Sequence, residues 1–301
     1  MIRHVRHSDI DKAAWDRDLL RCSNALWYGT SAVLDAAAEV WDALIDAESG
    51  ARLVLPRRRK FGITYAYQPF LIQQLGPFAP SADPEAPTRF IAALPSVFRY
   101  ADIALCPGHG TALPAVRFDE FTNVELSLGA SLTELRAAYS ENHRRNLRKA
   151  DRSGIGVEHL RMDDLKTFLH GSEQFKRWGI DGRQLRVMDR VFAVAERMDV
   201  AVVRGVRHQG RVVAGGLFIR WGGRLIFLKG LSSAAGREVG AMQALIDGVI
   251  AEHAGHALVL DFAGSNDPDL ARFYLGFGGE RSVYLRALVN RLPPLLRLIK
   301  K

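Results

Sequence analysis

Cysteine is scarce in this chain. Of 301 residues only two, Cys22 and Cys106, carry a thiol. Neither has a Cys or His neighbour at metal-ligand spacing. A disulfide framework is therefore excluded, and both thiols read as small buried apolar residues. Long apolar runs are missing as well. None approaches the roughly 20 residues of a membrane span, and the opening MIRHVRHSDIDKAAW has no apolar core of signal-peptide length. A soluble, cytoplasmic protein is the expectation. The nine histidines are scattered, and the pairs His4/His7 and His253/His256 lack a third ligand, so no metal is expected. Gly264-Ser265-Asn266 is not the G-x-S-x-G of a hydrolase elbow. Cys106–Gly110, CPGHG, fits a turn better than a Cys/His nucleophile, since no activating partner can be named. Acid is short relative to base: 33 Asp and Glu against 41 Lys and Arg, a net +8 with pI about 9.7. That balance favours an anionic partner, whether nucleic acid, phosphorylated cosubstrate or acidic membrane face, without choosing among them.

What is present is ordinary globular composition, 48% hydrophobic and 25% charged, in a chain long enough for two domains with real cores. The stretch Leu258–Glu280 organises the rest. Leu258–Phe262 has the length and composition of a buried strand. A Gly-Ser-Asn-Asp loop follows, then Pro268 at a first helical position, with Asn266 or Asp267 as N-cap. One or two helical turns carry Leu270, Phe273 and Tyr274 and stop at Gly276-Phe277-Gly278-Gly279. Such a crossover brings polar groups to the end of a strand.

Upstream, Val40–Asp46 and Arg52–Pro56 read as a hairpin, with the basic cluster Arg57–Lys60 just past it. The aromatic-rich Ile63–Leu75 reads as an irregular strand beside a cleft, and Thr88–Tyr100 as a helix. Ser131 and Glu134 have capping-box spacing and open one long helix ending at Gly154. Its second half places Arg144, Arg148 and Arg152 in one i,i+4 row and Arg145 and Lys149 in the next. That face is either solvated or anion-binding. A helix to about Trp178 and another over Gly182–Met198 follow. Three successive antiparallel strands then run through Val200–Val206, Val212–Trp221 and Leu225–Gly230. Gly215-Gly216 marks a bulge or a close backbone approach. A loop over Leu231–Glu238 leads to a helix over Val239–His253. A strand over Ser282–Val289 and the basic, aliphatic tail RLPPLLRLIKK close the chain. The tail could pack through Leu295, Leu296 and Ile299 or touch a membrane surface. The fold class is α+β, two domains of similar topology, 1–130 and 131–301, each a mostly antiparallel sheet flanked by helices.

Tyr274 and Gly278 have the Y-x-x-x-G spacing of the GNAT acyltransferases, and the strand order of the second half resembles that family. Phe273, Gly276, Phe277, Gly278 and Gly279 match the F-K-x-G-F-G-G of the Fem-type peptidoglycan aminoacyltransferases, which are tandem GNAT domains; Tyr274 stands where those carry lysine. The helix NHRRNLRKADRSGIGV is similar to the segment that opens their second domain. Against the GNAT pyrophosphate loop, [QR]-x-x-G-x-[GA], this chain has Arg237-Glu238-Val239-Gly240-Ala241-Met242, ending in methionine. Asn266 lies one residue upstream of the family's common asparagine.

The resemblance implies two GNAT-like domains and an N-acyltransferase, with acetyl-CoA or another acyl-CoA as cosubstrate and a small-molecule or peptide amine as acceptor. Gly236, Arg237, Gly240, Ala241 and Asn266 are the candidate cosubstrate residues, since a helix N-terminus offers unpaired N–H groups to phosphate. Tyr274 is either the general acid for the leaving group or a buried aromatic. Asp261, inside an apolar strand, either accepts a proton from the amine or makes a structural hydrogen bond to the Gly264–Asn266 loop. Lys229 could pair with an anionic substrate, and Tyr65, Tyr67 and Gln68 are candidates for the acceptor wall. One alternative is an aminoacyl-tRNA-dependent transferase, with Arg144, Arg145 and Arg148 on the tRNA. Another is a silent tandem domain that binds an anionic ligand.

Overall fold

The computed structural model describes residues 1–293. In chain order the elements are β1 (Ile2–Val5), α1 (Lys12–Leu19), α2 (Ser31–Ala38), β2 (Trp41–Asp46), β3 (Arg52–Lys60), β4 (Ile63–Tyr67), α3 (Ala86–Ala92), β5 (Phe98–Leu105), β6 (Val116–Ser127), α4 (Leu132–Ala137), α5 (Glu141–Arg152), β7 (Val157–His159), α6 (Met162–His170), α7 (Glu173–Arg177), α8 (Gly182–Arg197), β8 (Ala201–His208), β9 (Arg211–Trp221), β10 (Arg224–Ser232), α9 (Ala234–Glu238), α10 (Ala241–His253), β11 (Val259–Asp261), α11 (Pro268–Leu275) and β12 (Glu280–Asn290). They form two compact units, Met1–Phe121 with Val283–Lys301, and Thr122–Ser282. The division differs from a single cut at 130, because β12 carries the chain back to the first unit. The membrane-contact reading of the tail falls on 294–301, outside the described residues. Among the described residues no helix is long and apolar enough to cross a membrane.

In the first unit, β1 to β4 are joined by antiparallel ladders, β4 pairs parallel with β5, and β5 pairs antiparallel with β12. Its core is aromatic: Trp27, Trp41, Phe78, Phe90 and Phe98 are fully buried. Arg57–Lys60 lies inside β3 rather than beyond it, and Phe61-Gly62 forms the turn into β4. The expected helix over Thr88–Tyr100 is shorter, and β5 begins within that range at Phe98. The helix stops at Ala92, short of Pro95, whose preceding residue is pushed toward extended backbone.

In the second unit, β7, β8, β9 and β10 are successively antiparallel, β10 runs parallel to β11, and β11 pairs antiparallel with β6. Mixed α/β content around a mostly antiparallel sheet matches the expected class. Leu245, Ile246, Val249 and Ile250 of α10 are completely buried in this core, with Phe218, Phe262 and Phe277. The single long helix expected over Ser131–Gly154 is two. The capping box of Ser131 and Glu134 starts α4, but Ser140 starts a second helix by accepting from the amide of His143. Tyr139, at the break, buries its ring and donates to Asp247 at 3.1 Å. Arg136 grips the same carboxylate with two bonds of 2.9 and 2.7 Å, which ties α4 to α10.

Gly215 and Gly216 serve close approach. A Cβ on Gly216 would sit 2.8 Å from the ring of Phe227, and one on Gly215 would sit 2.9 Å from Leu165. A bulge on β9 lies beside the pair, where the pairing with β8 steps from Val206/Ala214 to Arg207/Val212 and leaves Val213 over, and β10 bulges where its pairing with β9 steps from Phe227/Phe218 to Lys229/Leu217 and leaves Leu228 over.

Candidate active site

The site is built where β10 and β11 part. They are paired from Arg224/Val259 to Ile226/Asp261. Beyond that, β10 bulges and runs on to Ser232, while β11 ends and hands the chain to α11. Asp267 caps α11, accepting from the amides of Asp269 and Leu270, and Pro268 holds its first position. Phe227, Gly230, Leu231 and Ser232 from β10, Arg237, Met242 and Gln243 around the start of α10, and Leu270, Phe273 and Tyr274 of α11 line a cleft of about 420 Å³, closed by Gln174 and Trp178. A second cleft of about 750 Å³ adjoins it across Gln174, Trp178, Leu231, Ser232 and Arg237. It is more polar, with Thr167, Ser172, Glu173, Arg177 and Ser233 in its wall.

Tyr274 is both the core aromatic and the cleft residue that were set against each other. Its ring stacks on Phe262 at 4.4 Å and 18° and meets Phe227 edge-on at 6.3 Å. Its hydroxyl makes no hydrogen bond among the described residues. Burial holds the phenol well above its ordinary range.

Asp261 is placed otherwise. It is 1% exposed, does not line either cleft, and accepts from Asn123 at 2.8 Å, from the amide of Ala263 at 2.9 Å and from Arg224 at 3.1 Å. Burial pushes its carboxyl upward even with Arg224 beside it. Its bond to Ala263, together with that of Asn123 to Gly264 at 3.1 Å, makes it the structural anchor of the loop after β11. Asn266 is used similarly: its side-chain oxygen accepts from Thr122 at 2.8 Å.

The cosubstrate residues divide. The loop expected over Leu231–Glu238 is in part helix, α9, and α10 begins at Ala241, not Val239. The amide of Gly236 is capped by the Ser233 hydroxyl, and a Cβ there would lie 2.3 Å from the carbonyl oxygen of Val213. Gly240 is the N-cap of α10 at φ +71°, where a Cβ would meet the carbonyl of Asn146 at 2.6 Å. Ala241 is fully buried. These three residues let α9 and α10 pack tightly. Arg237 does reach the clefts, where its guanidinium donates to Ser232 O at 3.0 Å and Gln174 Oε1 at 3.3 Å.

Lys229 follows the bulge, with its ammonium 5.0 Å from the ring of Phe175 and 5.1 Å from that of Trp178. Desolvation lowers its pKa. On α5, Arg144 and Arg148 both pair with Glu141, at 3.4 and 2.7 Å, and Arg145 with Asn142. The expected face is thus less cationic than its second half suggests. Tyr65, Tyr67 and Gln68 belong to the first unit. There Tyr67 donates to Ala38 O, and Gln68 spends its amide on Ile72 O and the amide of Ala104. Gln174, Trp178, Phe227 and Met242 were missed. Only the cap spacing at Ser172 hints at a separate helix that carries Gln174 and ends at Trp178. His143 was missed too. It is buried among Phe273 and Phe277, at 5.0 and 4.2 Å, beneath α11. Among the described residues no group of His, Cys, Asp and Glu could hold a metal ion.

Residues 137–269 match the family model of the acetyltransferase (GNAT) domain. No curated protein sequence matches the chain. Among solved structures, FemX is similar over 99% of this chain and 100% of its own, with TM-score 0.68 and 14% identity. The C-terminal domain of a protein designated a lysylphosphatidylglycerol synthetase, from Agrobacterium fabrum, is similar over 96% and 95%, with TM-score 0.53 and 13% identity. L-PGS from Bacillus licheniformis is similar over 86% and 87%, with TM-score 0.50 and 10% identity. At such identities the likeness is one of fold. Residues 137–269 are thus similar to a GNAT acetyltransferase domain, and the fold of the chain is similar to that of FemX.

Proposed function

We propose that the second unit transfers an acyl group from an acyl-CoA to an amine, in the cleft between β10 and α11. The observation that carries this is Tyr274: a ring fixed by Phe262, a hydroxyl with no hydrogen-bond partner among the described residues, and a place in the wall of that cleft. The amine attacks the thioester carbonyl, the C–N bond forms, the C–S bond breaks, the phenol gives its proton to the departing sulfur, and the proton lost by the nitrogen passes through water to the phenolate and restores it. A phenol held above its ordinary pKa stays protonated at neutral pH, which suits a donor and not a base. The apolar cleft of Phe227, Leu231, Met242 and Phe273 would hold the acyl end. Arg237 and the first-turn amides of α10 would face the phosphates. The amine would enter from the more polar cleft, with Lys229 behind Trp178 favouring an acceptor that carries an anion.

A second reading, aminoacyl-tRNA as donor, is supported by the likeness to FemX and by Arg145, Lys149 and Arg152, which have no acidic partner among the described residues. Melting with acetyl-CoA and longer acyl-CoAs separates the two. An acyl-CoA should raise the melting temperature, and Arg237→Ala should reduce that rise. No rise with any acyl-CoA, together with salt-dependent tRNA binding that falls when Arg145, Lys149 and Arg152 are neutralised, would replace the first reading with the second.

A further inference from the structure

The tip of the β3–β4 hairpin is expensive for the fold and does nothing for it. Lys60 pairs with Ile63, so the loop is the two residues Phe61-Gly62. Both have positive φ, +50° and +77°. A two-residue loop with that backbone favours Asn-Gly or Asp-Gly, and a bulky side chain in the left-handed region is strained. Phe61 gains no burial in return, since it is 89% exposed. The turn stands clear of the body: nothing lies within 4 Å of where a Gly62 Cβ would be. Behind the ring come Lys60, Arg59 and Arg58. None has an acidic partner among the described residues, whereas Arg57, next along the strand, is paired with Asp42 at 2.9 Å. The Lys60 ammonium lies 5.4 Å from the Phe61 ring, the Arg58 guanidinium 4.1 Å from that of Tyr67, and Arg59 braces the turn through Gly62 O.

We infer that this hairpin tip is a docking finger for an anionic lipid surface, with Phe61 entering the apolar boundary and Lys60, Arg59 and Arg58 meeting headgroup phosphates. The order of residues is what selects a bilayer. The apolar group is outermost and the cations recede from it at roughly 3.4 Å per residue. Headgroups overlie the acyl boundary in the same sequence, and a shallow insertion of about 5–10 Å spans it. A single-stranded nucleic acid would be met by rings and cations interleaved along a groove, not by one ring at a point. The inference is independent of which acyl donor the second unit uses.

Sedimentation of the full-length protein with phosphatidylcholine vesicles, with and without phosphatidylglycerol, tests it. The protein should bind only the anionic vesicles, and less so as salt is raised. Phe61→Asn installs a residue the turn prefers, so its melting temperature should hold or rise while vesicle binding falls roughly tenfold. Phe61→Trp should keep binding. Neutralising Arg58, Arg59 and Lys60 to glutamine should cost roughly fivefold per charge. Binding by Phe61→Asn equal to that of the parent would overturn the inference, as would equal binding to neutral vesicles. Loss of binding to single-stranded RNA by these variants, with no vesicle binding by the parent, would assign the finger to nucleic acid instead.

Discussion

Tyr274→Phe separates chemistry from packing at the one position where the two coincide. The substitution removes an oxygen and leaves the ring. The stack on Phe262 at 4.4 Å and the edge contacts with Phe227 and Phe273 are all ring contacts and should persist. The hydroxyl takes part in no hydrogen bond among the described residues, so none of the fold's bonds is lost with it. Unfolding should therefore change by less than about 1 kcal/mol. Turnover should fall far more. Loss of a positioned general acid costs about 10²–10⁴ in rate, or about 3–5 kcal/mol of transition-state stabilisation. Thiol release from acetyl-CoA in the presence of an amine, followed with a thiol reagent, reads this directly. Cys22 and Cys106 are buried and should add little background while the protein stays folded. The wild-type alkaline limb should also lie above the ordinary tyrosine value of 10.0, because burial raises the phenol. A Tyr274→Phe protein with the parent's melting temperature and the parent's turnover would refute the assignment, and Tyr274 would then be a core aromatic alone.

Two further residues are expected to answer differently. Asp261→Ala takes the acceptor from Asn123 and the amide of Ala263 and leaves Arg224 paired with Glu125 alone, which should cost about 1–3 kcal/mol in chemical denaturation while the folded fraction keeps its specific activity; lost turnover with unchanged stability would restore Asp261 as a base. His143 is 2% exposed, and burial lowers its pKa from 6.5. Its folded value lies below its unfolded one, so the stability it contributes is whole above about pH 6.5 and is lost as pH falls below that. His143→Phe should flatten the acid limb of a melting-temperature profile, and an unchanged slope would discount His143 as its source.

Local order was readable wherever one residue type carries one backbone meaning. The capping box at Ser131, proline at the start of α11 and the glycine turns around β9 all appear where the pattern placed them. The break between α4 and α5 was not readable. Helical periodicity runs through Tyr139 without interruption, and what ends the first helix is a tertiary contact, the Tyr139 hydroxyl on Asp247, 108 residues away. The same limit explains the cosubstrate loop. Arg237 and Gly240 stand at motif spacing, but whether a glycine faces a phosphate or a neighbouring backbone depends on what packs beside it. Gly236 faces Val213 and Gly240 faces Asn146. Glu141 in the first turn pairs with Arg144 and Arg148, so the charge of α5 is lower than its second half alone implies.

The glycines after Tyr274 show how one motif can be held for two unrelated reasons. Gly278 has φ +81°, a conformation that glycine adopts most readily, and a Cβ there would also lie 2.8 Å from Ala138. Gly276 is ordinary right-handed backbone at φ −63°, and any residue could adopt it. Space decides it: a Cβ would lie 2.5 Å from Cε1 of His143, whose ring is packed against Phe273 and Phe277 and has no room to retreat. The first glycine after Tyr274 is thus enforced from below by a histidine on α5, the helix that opens the second half's resemblance to the Fem-type proteins. A lysine at 274 would have to set its ammonium among the rings of Phe262, Phe227 and Phe273. A tyrosine stacks there without desolvating a charge. The aromatic bed therefore favours tyrosine on packing grounds alone, and only the fate of its hydroxyl separates an acyltransferase from a fold that keeps the shape.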